Sequence, residues 1–261
     1  MTSSTTDHAA ATDVIGSSVT GSSTNTRQSA EALLDASNLC LRHSDAAAVN
    51  NISLRMQRGD IVGLLGLNGA GKSTTLRMLC GVLVPNSGSI SVNGYDMAER
   101  PLLARAHIGF LPDQPPLYND MRVHEYLTLT GRIRGLKGSV LRERHETVLT
   151  QCALTDVTKK IIGTLSKGYR QRVGLAQALI HDPALVLLDE PSNGLDPQQM
   201  ESMRALIKQI GQTQGIIFST HLLSEVTATC NRVAIIHEGN LVADRSSLGE
   251  DLEATFRAAT T

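Results

Sequence analysis

Five short apolar runs, each closed off by glycine, proline or charge, set the pattern of this chain: Ile61-Val62-Gly63-Leu64-Leu65, Ile108-Gly109-Phe110-Leu111, Leu185-Val186-Leu187-Leu188, Ile216-Ile217-Phe218 and Val233-Ala234-Ile235-Ile236. Runs of this length without polar alternation predict strands buried on both faces of a sheet. Residues 32–42 and 48–57 also read as strands, with Ala46-Ala47 between them and Arg58-Gly59-Asp60 turning the chain into 61–65. Pro85-Asn86-Ser87-Gly88 predicts a turn, and Ser89-Ile90-Ser91-Val92-Asn93-Gly94 alternates as a short strand does. Leu241-Val242-Ala243 pairs naturally with 233–236 as a closing hairpin through Glu238-Gly239-Asn240.

Helical periodicity fills the gaps. Thr74-Thr75-Leu76-Arg77-Met78-Leu79 opens one helix. From about Tyr118 to Leu165 the pattern is helical throughout, with Val123, Tyr126, Leu127, Leu129 and Ile133 on one apolar face. A second helix over about 139–152 carries Leu141, Val148 and Leu149, so the block reads as an all-helical subdomain inserted between strand-rich parts. Ser166 is placed to cap a helix reaching about Ile180, and another covers 197–211. The sum is an α/β chain with a mixed β core, ordered over 31–245 and ending in a helix or tail over 246–261. Half of residues 1–26 are Ser or Thr, so residues 1–30 read as a disordered tail.

Candidate chemistry enters at the end of the 61–65 strand. Gly66-Leu67-Asn68-Gly69-Ala70-Gly71-Lys72-Ser73 fits G-x-x-x-x-G-K-[ST], the phosphate-binding P-loop, in the strand–turn–helix setting that the motif requires. Its glycines let backbone N–H groups curl around phosphate oxygens, and the following helix, through Thr74, adds positive potential. Lys72 can reach the β- and γ-phosphates and Ser73 offers a hydroxyl to Mg²⁺. Leu185–Leu188 runs into Asp189-Glu190, the Walker-B pattern. Asp189 is placed for the Mg²⁺ shell, and Glu190 for polarising a water in line with the γ-phosphate.

Bulk properties change this picture little. The 261 residues suffice for a large core, and a net charge of −1 gives no general field toward nucleic acid or an anionic membrane. Cys40, Cys80, Cys152 and Cys230 lack paired spacing and read as reduced thiols. No apolar run reaches a membrane span and the N-terminus lacks signal-peptide features, so the chain reads as soluble and dependent on a partner for any membrane role.

Further motifs carry a resemblance. Leu165-Ser166-Lys167-Gly168-Tyr169-Arg170-Gln171-Arg172, just before the Walker-B strand, resembles the signature of ATP-binding-cassette (ABC) ATPases. Gln114 sits where that family has its Q-loop glutamine, a member of the metal shell and the catalytic group. Ser192-Asn193-Gly194-Leu195-Asp196-Pro197 is similar to its D-loop, and His221 to its switch histidine. Six motifs thus follow in the family's order between about residues 35 and 245.

The resemblance implies a P-loop NTPase fold of ABC type, ATP and Mg²⁺ as ligands, and a head-to-tail dimer. Ser166, Gly168 and Asp196 of one subunit would then cover ATP on the other's P-loop. Lys167 and Tyr169 replace the commonest Gly and Gln, a version similar to the exporter-like branch whose polytopic permease is a separate chain. The adenine-stacking aromatic falls on His43, which either lies on the base or is an ordinary surface histidine. The expected protein is the ATPase subunit of a transporter, peripheral on the cytoplasmic membrane face through its permease. It would work as a homodimer or with a paired cassette, and no direct nucleic-acid contact is expected. Rival readings are a non-transport ABC ATPase acting on ribosomes or DNA, and a nucleotide-gated dimerisation module without turnover. The single cassette and short helical block oppose the first, and Glu190 with His221 oppose the second.

Overall fold

The computed structural model describes residues 32–43, 46–246 and 251–260; the predicted N-terminal tail lies outside them. Two sheets form the framework. In the first, β1 (Leu34–His43) pairs antiparallel with β2 (Ala46–Met56) and β4 (Ser87–Val92), and β5 (Tyr95–Asp96) extends the edge. Ala46 and Ala47, expected between strands, belong to β2: Ala46 stands opposite His43 and Ala47 opposite Arg42.

The second sheet contains β3 (Ile61–Leu65), β6 (Ile108–Leu111), β7 (Leu185–Asp189), β8 (Gly215–Thr220), β9 (Arg232–His237) and β10 (Asn240–Arg245) in the order β10-β9-β3-β8-β7-β6. Every pair is parallel except β9–β10, which turns tightly at Glu238 and Gly239, both with positive φ. That backbone matches the primed turns that suit the right-handed twist of a hairpin.

All residues of β3, β7 and β8 are buried, as the unbroken apolar runs predict. Their side chains still alternate. Leu185, Leu187 and Ile217 join the core shared with α1 (Lys72–Leu79) and the antiparallel sheet. Val186, Leu188, Ile216 and Phe218 face the opposite core, beneath α3 (Val123–Ile133), α5 (Lys167–Leu179) and α6 (Pro197–Gly211). Each such side chain contributes about 1.5–3 kcal/mol by leaving water.

The block between β6 and β7 is not helical throughout. Residues 119–122 and 160–163 run side by side, with Ile162 N–H donating to Met121 O (2.9 Å), Gly163 N–H to Asn119 O (2.9 Å) and an isolated antiparallel bridge at Arg122–Ile161. Between these tied ends lie α3 and α4 (Gly138–Gln151), then a 3₁₀ turn at Thr155–Val157; another follows at Ile162–Thr164. Val123, Tyr126 and Leu127 are buried as expected, whereas Ile133 is 73% exposed. The stripe continues through Gly131, where the chain meets Leu141, and Ile133 lies out of phase with it. Three short elements escaped the pattern: β5, α2 (Pro101–Ala106) and α7 (Leu223–Thr229). The C-terminal α8 (Asp251–Thr260) packs Leu252 and Phe256 near Val226 and Ile235. No helix among the described residues is long and apolar enough to cross a membrane.

Burial raises the thiols of Cys80 and Cys152, the latter to about 12. The same force acts on His181, whose Nε2–H donates to Ile108 O at 3.0 Å. Burial, with Arg134 nearby, lowers this imidazole to about 4. The folded state therefore resists the proton that the unfolded chain takes up near pH 6.5. Stability from this group is fully present above pH 6.5 and is lost as pH falls toward 4. Denaturant melts of wild type should lose about 2–3 kcal/mol across that window beyond what His181→Gln loses. Equal slopes in the two proteins would remove His181 as the cause.

Candidate functional site

The carboxyl ends of β3, β8 and β7 lie side by side, with Leu65 opposite Thr220 and Asp189 opposite Ser219. The loops leaving these ends meet at one cleft, as open α/β sheets dictate. The loop after β3 turns with Ala70 N–H donating to Leu67 O (3.2 Å), and α1 starts at Lys72, two residues before the expected Thr74. Gly71, at φ 105, precedes the helix; a side chain there would be strained and would meet Ala48 O at 2.6 Å. A Cβ at Gly66 would collide with Ile236 O. The turn between β9 and β10 clasps the loop from outside: Gly239 N–H donates to Ala70 O (2.9 Å), and Asn50 N–H donates to Gly239 O (2.7 Å).

Lys72 is 5% exposed. A buried ammonium needs partners. It donates to Gly66 O at 2.9 Å and Leu67 O at 3.2 Å, and lies 3.4 Å from Glu190 Oε1. The other Glu190 oxygen, Oε2, lies 3.2 Å from His221 Nδ1. One carboxylate thus spans the P-loop lysine and the histidine after β8. Glu190 has φ 47, an unusual backbone for a non-glycine residue, and its N–H donates to Ser219 Oγ at 2.9 Å. Thr220 donates its hydroxyl to Glu225 and accepts Leu222 N–H (3.1 Å), which fixes the turn that carries His221.

Asp189 is 1% exposed and accepts on Oδ1 from Ser73 Oγ (2.8 Å) and Ser219 Oγ (2.7 Å). A hydroxyl beside a buried carboxylate is the oxygen donor set that suits Mg²⁺, which keeps several waters and phosphate oxygens rather than filling a protein cage. No group of three or more His, Cys, Asp or Glu among the described residues is arranged to hold a metal ion. The residues present fit the ion.

The cleft holds about 550 Å³ and is lined by Asn68, Gly69, Gly71, Lys72, Ser73 and Thr74, with Glu190 and His221 opposite. That volume suits a nucleotide-sized ligand. Gly66 and Ala70 act through their carbonyls, which accept from Lys72 and from Gly239 N–H. Gln114 lines a neighbouring cleft with Lys167 and Arg170, and Asp113 borders both clefts. Ser166 and Gly168 border another cleft, and Ser166 caps α5 by accepting Tyr169 N–H at 3.4 Å. Asp196 caps α6, accepting Gln199 N–H at 2.8 Å. His43 ends β1, and its side chain lies outside the described residues.

Three members carry no site role in the sequence reading, although Asn193 lies within the stretch similar to the D-loop. Asp113 and Asn193 line the cleft and bond to each other, Asn193 Nδ2 donating to Asp113 Oδ1 at 3.0 Å. Ser219 is the third; its only signal is its place on the strand run beside β7. Ser219→Ala removes one donor from Asp189 and the acceptor of Glu190 N–H. It should cost about 1–3 kcal/mol of stability, read as a Tm lower by roughly 2–10 °C. An unchanged Tm would mean that neither bond matters to the fold.

Known proteins resemble this chain over most of its length. Residues 49–193 match the family described as ABC transporter. The ABC transporter ATP-binding protein NatA of Bacillus subtilis is 40% identical over 75% of this chain and 80% of its own. The bacitracin transport ATP-binding protein BcrA of Bacillus licheniformis is 36% identical over 81% of this chain and 69% of its own. A solved structure of an ATP binding subunit of an ABC transporter superposes with a TM-score of 0.75 at 30% identity, over 88% of this chain and 95% of that one.

Proposed function

The chain belongs to the ABC transporter family, as an ATP-binding and ATP-hydrolysing transporter subunit, and from that premise we propose how its residues divide the work. The P-loop wraps the phosphates of ATP, with Lys72 transferring its contacts from the Gly66 and Leu67 carbonyls toward phosphate oxygens. Ser73 and Asp189 would hold Mg²⁺, which when bound neutralises phosphate charge during transfer. Glu190 accepts a proton from the attacking water, while His221 holds the carboxylate from its other side. The observation that carries this reading is the carboxylate of Glu190 fixed between Lys72 at 3.4 Å and His221 at 3.2 Å.

Gln114, Ser166, Gly168 and Asp196 lie away from this carboxylate, and the reading gives most of them to a second copy. Two subunits associate head to tail, so that Ser166 and the N–H groups at the start of α5 meet ATP held by the partner. Closure on ATP and reopening after hydrolysis move the helical block, about 118–165, against a polytopic permease at the cytoplasmic face of the membrane. Export is the favoured direction, because the Lys167/Tyr169 form of the signature resembles that branch.

Purification from detergent-solubilised membranes tests the assignment. A polytopic membrane protein should co-purify in fixed ratio, and the pair in sealed vesicles should show transport that depends on MgATP. Recovery with ribosomes or DNA and no membrane protein would overturn it.

A further inference from the structure

Lys167 occupies the first position of α5, where a cation opposes the helix dipole and where the commonest signature has glycine. Its side chain does not follow Ser166. Ser166 borders the cleft toward Tyr169 and Gln199, whereas Lys167 lines the opposite one with Gln114 and Asn193. Lys167 runs over the backbone of Gly194. A methyl added to Gly194 would lie 3.4 Å from Lys167 Cε and 3.7 Å from Cδ, and would collide with Nζ. Gly194 has φ +66, so its bare Cα serves both a left-handed turn and the space that the lysine occupies. No carboxylate among the described residues lies within ion-pair distance of that ammonium. The contact is packing, not charge pairing.

The loop beneath Lys167 leads straight to the hydrolysis cleft. Asn193 N–H donates to Glu190 O at 3.0 Å, and the Asn193 side chain bonds Asp113 inside that cleft. One side chain therefore connects the start of α5 to the backbone that carries Glu190. We propose that Lys167 is a positioning residue: by packing on Gly194 it holds the 190–196 loop, and through Asn193 the Glu190 carbonyl, in register with the signature helix of the same subunit. The inference rests on the reading that Glu190 serves hydrolysis. It gives each subunit a direct link between its own ATP and the surface offered to its neighbour's.

The test is steady-state ATP hydrolysis by the full chain across ATP concentrations, with Tm measured alongside. Lys167→Gly should lower kcat about fivefold, leave KM within about twofold and leave Tm unchanged, because the residue touches neither the P-loop nor the core. Lys167→Met keeps an unbranched stem without charge and should restore most of kcat. Gly194→Ala, which strains the left-handed turn as well as pushing the lysine aside, should lose at least as much as Lys167→Gly, and the double variant should be no worse than Gly194→Ala alone. Three results would overturn the proposal: wild-type kcat in Lys167→Gly, a rise in KM alone, or additive losses in the double variant. Glu190→Gln separates the two levels. If it hydrolyses ATP normally, the site reading fails and the Lys167 proposal with it; if it is inactive while Lys167→Gly is normal, only the Lys167 proposal fails.

Discussion

Glu190→Gln should cut ATP hydrolysis by roughly 10²-fold or more while leaving MgATP binding in place. The amide keeps the shape of the carboxylate and can still meet His221, but it has no basicity with which to take a proton from water. Binding survives because Lys72, Ser73 and Asp189 are untouched. In the substituted chain Lys72 loses its anionic neighbour at 3.4 Å yet keeps the Gly66 and Leu67 carbonyls, so the P-loop stays formed. Unhydrolysed ATP should then hold the head-to-tail pair closed, and light scattering should report twice the mass in MgATP and the single mass without it. Hydrolysis at the wild-type rate would give the role of base to another group. Loss of activity without any ATP-dependent dimer would leave Glu190 as the base and refute the head-to-tail arrangement.

The second large effect is on affinity. Lys72→Ala removes the one ammonium lining the cleft among the described residues, and each charge-assisted hydrogen bond lost costs about 1.5–3 kcal/mol. Contacts to two phosphates put the weakening at a hundredfold or more, about 2.7 kcal/mol at least. The variant also leaves two loop carbonyls without their donor and Glu190 without its cation, so the loop itself should loosen. Titration calorimetry with MgATP checks this directly. An affinity within threefold of wild type would take Lys72 out of the phosphate site.

Much of this was open to reading in the sequence, and for definite reasons. The P-loop and the Asp189-Glu190 pair are contiguous motifs at the ends of apolar runs, so local order carries their placement in space. The signature, the Asn193-Gly194 loop and His221 gained meaning from their order along the chain. What pattern could not give was register. Ser219 serves Asp189 and Glu190 together only because β7 and β8 are parallel neighbours with residue 189 opposite 219. Gln114 and Ser166 share a motif set with Lys72 but line other clefts, which order along the chain does not encode. Periodicity does not mark α2, whose six residues are too few for an apolar stripe to repeat and bury only Ala104. The helical block was read as continuous because the tie between 119–122 and 160–163 is backbone pairing, which side-chain periodicity does not register. The choice between a transporter subunit and an ATPase of ribosomes or DNA rests in the sequence on the single cassette and the short helical block, and relatedness to transport proteins agrees with it.

The clasp of the β9–β10 turn on the P-loop has a consequence for synthesis. β3 emerges early from the ribosome, but its two neighbours in the sheet begin only at Gly215 and Arg232, and Gly239 arrives later still. At about 5–20 residues per second the P-loop sequence waits on the order of ten seconds or more for its last support. Through that interval a nascent chain has its phosphate-binding residues but not the strands that hold them. The full support of the P-loop is thus deferred until nearly the whole domain has been made.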